Sequence, residues 1–380
     1  MREVYLDNCA TTRTDPDIAA VALEVMTAAY GNPSSMHKKG LEAQLLLDGA
    51  REKIAAALGC QDSEIYFTRG GTEANNLAVL GAYSAHRRRA SHLVAGGGEH
   101  ASVLGPLRHL SEQGAALTLV PLLQDGYPDP QALAAATDKS TLLISCALAN
   151  SEAGGLAPIG EIAKAARAKS ERVLIHCDAV QALGKVPIAV DKLGADLLSV
   201  SGHKLHAPKG IGALYIRKGV RIHPLFYGGE QQRGVCPGTE NVPLAAAFGA
   251  AAEKITRQMS QNFEKYAQLR KFFLEKAQNI PGLCINSACE RTPYICNISL
   301  PGYKSETLVH FLAERGVYVS GGSACAKGKD SHVLTAMGLP PKRIQSALRV
   351  SFCKDTTEQD LDAFFQTLAL AMAGIARSKP

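Results

Sequence analysis

No two of the ten cysteines stand in a C-x-x-C pair, and their spacing is irregular. That pattern argues against a thiolate zinc site. A disulfide framework belongs to small secreted domains, not to a chain of 380 residues. No uninterrupted apolar run is long enough to span a bilayer, and the opening Met1-Arg2-Glu3-Val4 lacks the apolar stretch of a secretory signal. A cytoplasmic protein with no membrane contact is expected. Internal repeats and low-complexity tracts are also missing. Net charge is only +6, too weak to argue for direct contact with nucleic acid. The run Arg87-Arg88-Arg89 closes a helical segment, where cations complement the helix dipole. His176 and Cys177 stand side by side, but as adjacent strand residues they face opposite sides. No metal site is expected.

What is present is a sequence that is 46% hydrophobic and 20% charged, enough to bury a large core. Its length makes two domains the prior. The runs "EIYFT" (64–68), "HLVAG" (92–96), "LTLVPL" (117–122), "LLISCA" (142–147), "VLIHC" (173–177), "LLSVS" (197–201) and "ALYIR" (213–217) read as strands. Amphipathic stretches such as 73–89 and 159–170 lie between several of them. Apolar strands alternating with helices predict an α/β fold whose central sheet is mostly parallel and covered on both faces. Ligands of such sheets sit beyond the carboxyl ends of the strands. From about Ala245 a long helical segment reaches Asn279. Fewer strands follow ("YICNISL", "VYVS", "LRVSF"), then a helix over 357–376. This second pattern predicts a smaller α+β domain.

Chemistry collects just after the strands. Lys204 follows "LLSVS" by three residues. A desolvated lysine loses basicity and becomes an amine nucleophile able to form a Schiff base with an aldehyde; a lysine reaching solvent from a loop is the equal alternative. Asp178 and Gln181 follow another strand, and a pyridoxal phosphate site needs a carboxylate for its ring nitrogen. "TRGGTEANN" (68–76) supplies glycines and then Thr72 at the start of a helix, a natural anion site; capping alone is the bland reading of Thr72. Ser201 and His203 offer further donors. "GGGEH" delivers His100, suited to stacking on a ring or to acid–base work. Cys325 lies in "SGGSACAKGK" (320–329), among glycines that loosen the backbone and lysines that favour thiolate.

Eight motifs, in order, resemble the NifS/IscS-like cysteine desulfurases, fold-type I pyridoxal phosphate enzymes of the class V aminotransferase group. Besides those quoted, they are "YGNPSSMH", "NSEAGG", "CDAVQ", "SGHKLHAPKGIGALY" and "GGEQQRGVCPGTEN", between "YLDNCATT" and "ALRVSF". The resemblance implies a large cofactor-binding domain of residues 16–250. It also implies a small domain of 1–15 and 251–380, carrying the catalytic-cysteine loop and the substrate-carboxylate arginine. It makes Lys204 the Schiff-base lysine of pyridoxal 5'-phosphate, Asp178 the partner of the ring nitrogen and His100 the stacking residue. Gln181 would meet the phenolic oxygen. Gly71, Thr72, Ser201 and His203 would hold the phosphate, joined by Thr239 from the other subunit of a homodimer. Arg349 and Asn150 would take the carboxylate of L-cysteine, Asn150 lying beside the cofactor as well. Cys325 would accept sulfur as a persulfide for delivery to an acceptor protein, an iron–sulfur scaffold or a thiolation enzyme.

The chain departs from the family pattern at Cys9, Gln232, Cys236 and Cys353, and its loop after Cys325 is slightly short. Cys9, Cys236 and Cys353 are expected to be packing residues. An aminotransferase or a selenocysteine lyase could use Lys204, Asp178 and Arg349 without the thiol. A non-enzymatic sulfur-transfer or assembly subunit that merely retains the fold is a further alternative, against which the lysine, the carboxylate and the arginine are all present.

Overall fold

A computed structural model describes residues 2–287, 290–321 and 330–377. After a short strand β1 (Val4–Tyr5) come seven strands: β2 (Ile65–Thr68), β3 (His92–Gly96), β4 (Leu117–Val120), β5 (Thr141–Ala147), β6 (Leu174–Asp178), β7 (Leu197–Ser201) and β8 (Gly212–Ile216). They form one sheet in the order β2-β8-β7-β6-β5-β3-β4. Every residue of β6, β7 and β8 is buried, which is why these strands read as unbroken apolar runs rather than alternating ones. Only β8 runs against the rest. All other strands therefore end at one edge, and Thr68, Gly96, Ala147, Asp178 and Ser201 reach it together.

Within β6, His176 is fully buried. Its Nδ1 meets Ser145 Oγ at 2.8 Å and its Nε2 meets Ser199 Oγ at 3.0 Å. Burial pushes its pKa down to about 4, so the ring is a neutral core group held by hydroxyls on the flanking strands.

The helical run expected over 73–89 starts two residues earlier. Gly71–Asn76 passes through a π turn, Leu77–Gly81, into Ala82–His86 without leaving helical dihedrals. The long helix expected from Ala245 is two helices, Val242–Arg257 and Met259–Gln278, joined at Gln258 with ψ near 0°. The break redirects the chain between partners. The first helix packs on Pro16–Thr27 and Lys38–Leu58, the second on the final helix Glu358–Gly374.

The remaining strands are β9 (Cys284–Ile285), β10 (Ile295–Ser299), β11 (Val317–Tyr318), β12 (Ser320–Gly321) and β13 (Ala347–Ser351). An antiparallel sheet runs β12-β13-β10-β9, while β1 pairs in parallel with β11. Phe273 joins this part to the final helix, its ring 5.0 Å from Phe365 and 6.0 Å from Phe364.

The amino-terminal segment stitches the two sheets. Val4 is paired with Val317, and Asp7 bridges to Ser351. The amide of Thr12 then donates to His203 O at 3.0 Å, and that of Asp15 to His206 O at 3.0 Å. Among the described residues, no helix is long and apolar enough to cross a membrane.

Candidate active site

A cavity of about 1060 Å³ opens where the parallel strands end. Its walls bring together Gly71, Thr72, His100, Asn150, Asp178, Gln181, Ser201, His203, Lys204 and Arg349, residues drawn from six separate motifs. Thr239 is not among them. It lines a different cavity of about 360 Å³ beside Arg69 and Cys236. Cys325 lies outside the described residues.

Lys204 sits in a tight turn, Gly202–Lys204, directly after β7. Its Nζ donates to the backbone oxygens of Cys9 and, at 2.8 Å, Ala10. Burial lowers its pKa to about 8, with the nearby charge of Lys185 pushing the same way. At neutral pH about a tenth of such an amine is unprotonated, against well under a thousandth for an ordinary lysine. Lys204 is not a solvent-reaching surface lysine.

Asp178 ends β6 and is buried. Its Oδ1 accepts from the amide of Val180 at 3.0 Å, and its Oδ2 accepts from Asn75 Nδ2 at 2.8 Å. His100 caps the helix Ala101–Glu112, its Nδ1 accepting from the amide of Ser102 at 3.1 Å. The ring stays open to the cavity, yet desolvation by its surroundings lowers its pKa.

Three side chains are more committed than their expected roles require. Gln181 already donates from Nε2 to Cys9 O at 2.8 Å. Asn150 donates to Gly98 O at 3.1 Å and accepts from the amides of Glu152 and Ala153, so it braces the loop after β5. Arg349, on β13, donates to Ser151 O at 2.9 Å and forms an ion pair with Asp7 at 2.8 Å. Its buried Nε has no partner among the described residues. Two of the five guanidinium N–H groups are thus engaged, and a carboxylate needs two of those that remain.

At the other end, the N-terminus of the helical run at Gly71 meets Ser201 and His203. A Cβ on Gly71 would lie 2.8 Å from Val180 Cγ2 and 3.3 Å from Ser201 Cβ, so glycine is what lets the helix start approach the end of β7. Lys209 also faces the cavity. His203 contacts Thr11 Oγ1 at 3.1 Å, and burial together with the charges of Lys204 and Lys209 brings its pKa down to about 4. This end therefore presents backbone amides, hydroxyls, a neutral imidazole and ammonium charge, all suited to an anion.

The sequence matches the Aminotransferase class-V family over residues 4–364. It is 40% identical over 365 residues to a cysteine desulfurase IscS of Dictyoglomus turgidum, covering 95% of this chain and 92% of that protein. A cysteine desulfurase IscS of Methanosarcina thermophila is likewise 40% identical over 370 residues, covering 97% and 91%. Among solved structures, a NifS-like protein superposes with a TM-score of 0.93 at 35% identity, covering 98% of this chain and 100% of that one. This chain belongs to the class-V aminotransferase family, in its cysteine desulfurase branch. Its fold is accordingly that of the fold-type I enzymes, as the motifs implied.

In this family member the positions that depart from the pattern do structural work. Gln232 accepts from the amide of Phe67 at 2.8 Å and donates to Glu240 at 2.6 Å. Cys9 is buried in the main core, and burial pushes the Cys236 thiol up to about 12. Sequence reasoning missed Asp7, Asn75, Ser102 and Glu152. Asp7, Asn75 and Glu152 stand inside quoted motifs, but the partners of the first two, Arg349 and Asp178, are hundreds of residues and about a hundred residues away. Only the fold supplies those pairings.

Proposed function

We propose that this cysteine desulfurase binds pyridoxal 5'-phosphate in the 1060 Å³ cavity and moves sulfur from L-cysteine to Cys325. The observation that carries the reading is the convergence on one cavity of a lysine amine of lowered basicity, a buried carboxylate and an anion-binding helix start. The donor set fits the cofactor from end to end. Lys204 would hold the aldehyde carbon, Asp178 the ring nitrogen, and His100 one ring face. Gln181 would turn its amide toward the phenolic oxygen. Gly71, Thr72, Ser201 and His203 would hold the phosphate, with Thr239 of a second copy. When bound, the group supplies an aldehyde for amine condensation and a protonated ring that takes up electrons.

The chain's own residues do the rest. Arg349 orients the substrate carboxylate with its free N–H groups, its planar fork held in place by Asp7 and Ser151. Asn150 keeps the adjoining loop in register. Lys204, once released as an amine, takes the α-proton. The Cys325 thiolate attacks the substrate sulfur: an S–S bond forms, the C–S bond breaks, and its electron pair stays with the carbon fragment. Proton uptake then gives L-alanine, leaving a persulfide on Cys325.

The same reading makes the protein a homodimer that hands sulfur to an acceptor protein in the cytoplasm, for iron–sulfur cluster assembly or thiolation. The eight described cysteines are all unpaired, which agrees with a reducing compartment. A division into residues 16–250 and 1–15 plus 251–380 is part of the proposal.

The test is an absorption spectrum after incubation with pyridoxal phosphate, followed by alanine and persulfide assays with L-cysteine. Wild type is expected to turn yellow and to make both products one for one. Cys325→Ala is expected to keep the colour and lose sulfide release from cysteine. Desulfuration retained in that variant would assign the site to another activity of the group, and a colourless wild type would favour a non-enzymatic subunit.

A further inference from the structure

We propose that Asn75 is a positioning residue: its amide holds the Asp178 carboxylate and, by donating to the Ser102 hydroxyl, favours a lone pair on Nδ1 of His100. The inference rests on the reading above, in which Asp178 and His100 grip the cofactor ring.

Asn75 lies on the first helical stretch after the Gly71 turn, is 1% exposed, and lines the cavity. Its Nδ2 donates twice, to Asp178 Oδ2 and to Ser102 Oγ, each at 2.8 Å. The orientation of the amide follows from chemistry. An ionised carboxylate only accepts, so the oxygen of Asn75 cannot face it. That oxygen, Oδ1, is buried with no partner among the described residues, an arrangement with a cost that two donated bonds offset.

The direction of the remaining bonds follows from the Ser102 amide, which can only donate to Nδ1. Ser102 Oγ accepts from Asn75, leaving its own proton for His100 Nδ1, 2.7 Å away. The amide of Ser102 also donates to Nδ1, and an N–H can do nothing else. Both contacts demand a lone pair on Nδ1, so neutral His100 carries its proton on Nε2. Protonating Nδ1 would cost the bond from the Ser102 amide and turn the hydroxyl so that its oxygen accepts from Nδ1 as well as from Asn75, two donors on one oxygen that weaken each other. One amide thereby links the group for the ring nitrogen to the group for the ring face.

Asp178, Lys204 and His332 are the charged or titratable groups that bear on His100. None of them is altered in the variants that follow. Asn75→Leu keeps the branching and the number of heavy atoms and removes both donors. The experiment measures the His100 pKa by NMR on the full-length apoprotein and the pyridoxal phosphate dissociation constant by titration. In Asn75→Leu the hydroxyl oxygen accepts from a protonated Nδ1 without a competing donor, so the His100 pKa should rise by about half a unit. The dissociation constant should weaken roughly tenfold, the worth of one charge-assisted hydrogen bond. A role confined to packing would move neither while leaving the fold intact.

Asn75→Asp provides a second arm that does not depend on the fate of the leucine variant. Two carboxyls side by side share a proton, so the donor is kept at low pH and lost as the pH rises. Its cofactor affinity, taken as a ratio to wild type at the same pH, should fall as the pH is raised. Unchanged His100 pKa and cofactor affinity in folded Asn75→Leu, or an Asn75→Asp affinity whose ratio to wild type does not change with pH, would overturn the proposal. Wild type that binds no pyridoxal phosphate would instead bring down the cofactor reading, while the His100 measurement still decides the bond network.

Discussion

Glu152 follows Ser151 in the loop braced by Asn150, and one of its carboxyl oxygens is buried without a partner among the described residues. Burial raises its pKa to about 7, against the pull of Ser331 and Arg349. The folded state thus holds a proton that the unfolded chain releases near pH 4.5. Stability from this position is complete below the unfolded value and is lost as pH climbs toward 7, then levels off. Glu152→Gln removes that loss. Urea unfolding should find it more stable than wild type at pH 8 by on the order of 2–3 kcal/mol, and nearly equal at pH 4.5. Parallel pH profiles for the two proteins would refute this. Residues of this kind mark where sequence reading stops. Lys204, Asp178 and His100 were legible as candidates because each follows an apolar run, at the strand ends where such sheets gather their ligands. Glu152 and Asn75 were not, because their significance lies in neighbours that come from distant parts of the chain.

Elements were legible in proportion to how deeply they are buried. The strands with both faces covered appeared as apolar runs, and their bounds held to within about two residues. The reversal of β8 left no trace in composition, since parallel and antiparallel strands in a buried sheet carry the same side chains. The break at Gln258 was equally silent, there being neither glycine nor proline to mark it. Gly71 shows an element whose placement matters more than its propensity. Alanine is the better helix former, yet its Cβ would press on Val180 and Ser201 and lift the helix start from the anion end of the cavity. Gly71→Ala should weaken pyridoxal phosphate binding about tenfold or more with helix content unchanged by circular dichroism. Full affinity in that variant would mean that the close approach is dispensable.

At the scale of the molecule, Thr239 lines a cavity apart from Lys204, as a residue acting on the other copy would. Mixing two inactive variants tests this. In a heterodimer of Lys204→Ala with Thr239→Ala, the intact lysine of one chain meets the intact threonine of the other. Mixed, refolded samples should recover up to half of wild-type activity per heterodimer, while each parent homodimer stays low. No recovery on mixing, with heterodimers demonstrated by mass, would place Thr239 outside the neighbour's site.

The threading of the amino-terminal segment has a temporal consequence. Residues 4–12 leave the ribosome long before their partners Val317, Ser351 and His203. Contacts of such long sequence separation form slowly, so the backbone oxygens of Cys9 and Ala10 that steady Lys204 cannot settle until residue 351 has been made. The nascent enzyme should stay catalytically silent until its last strand closes the circuit, which keeps a reactive sulfur chemistry from starting on an unfinished chain.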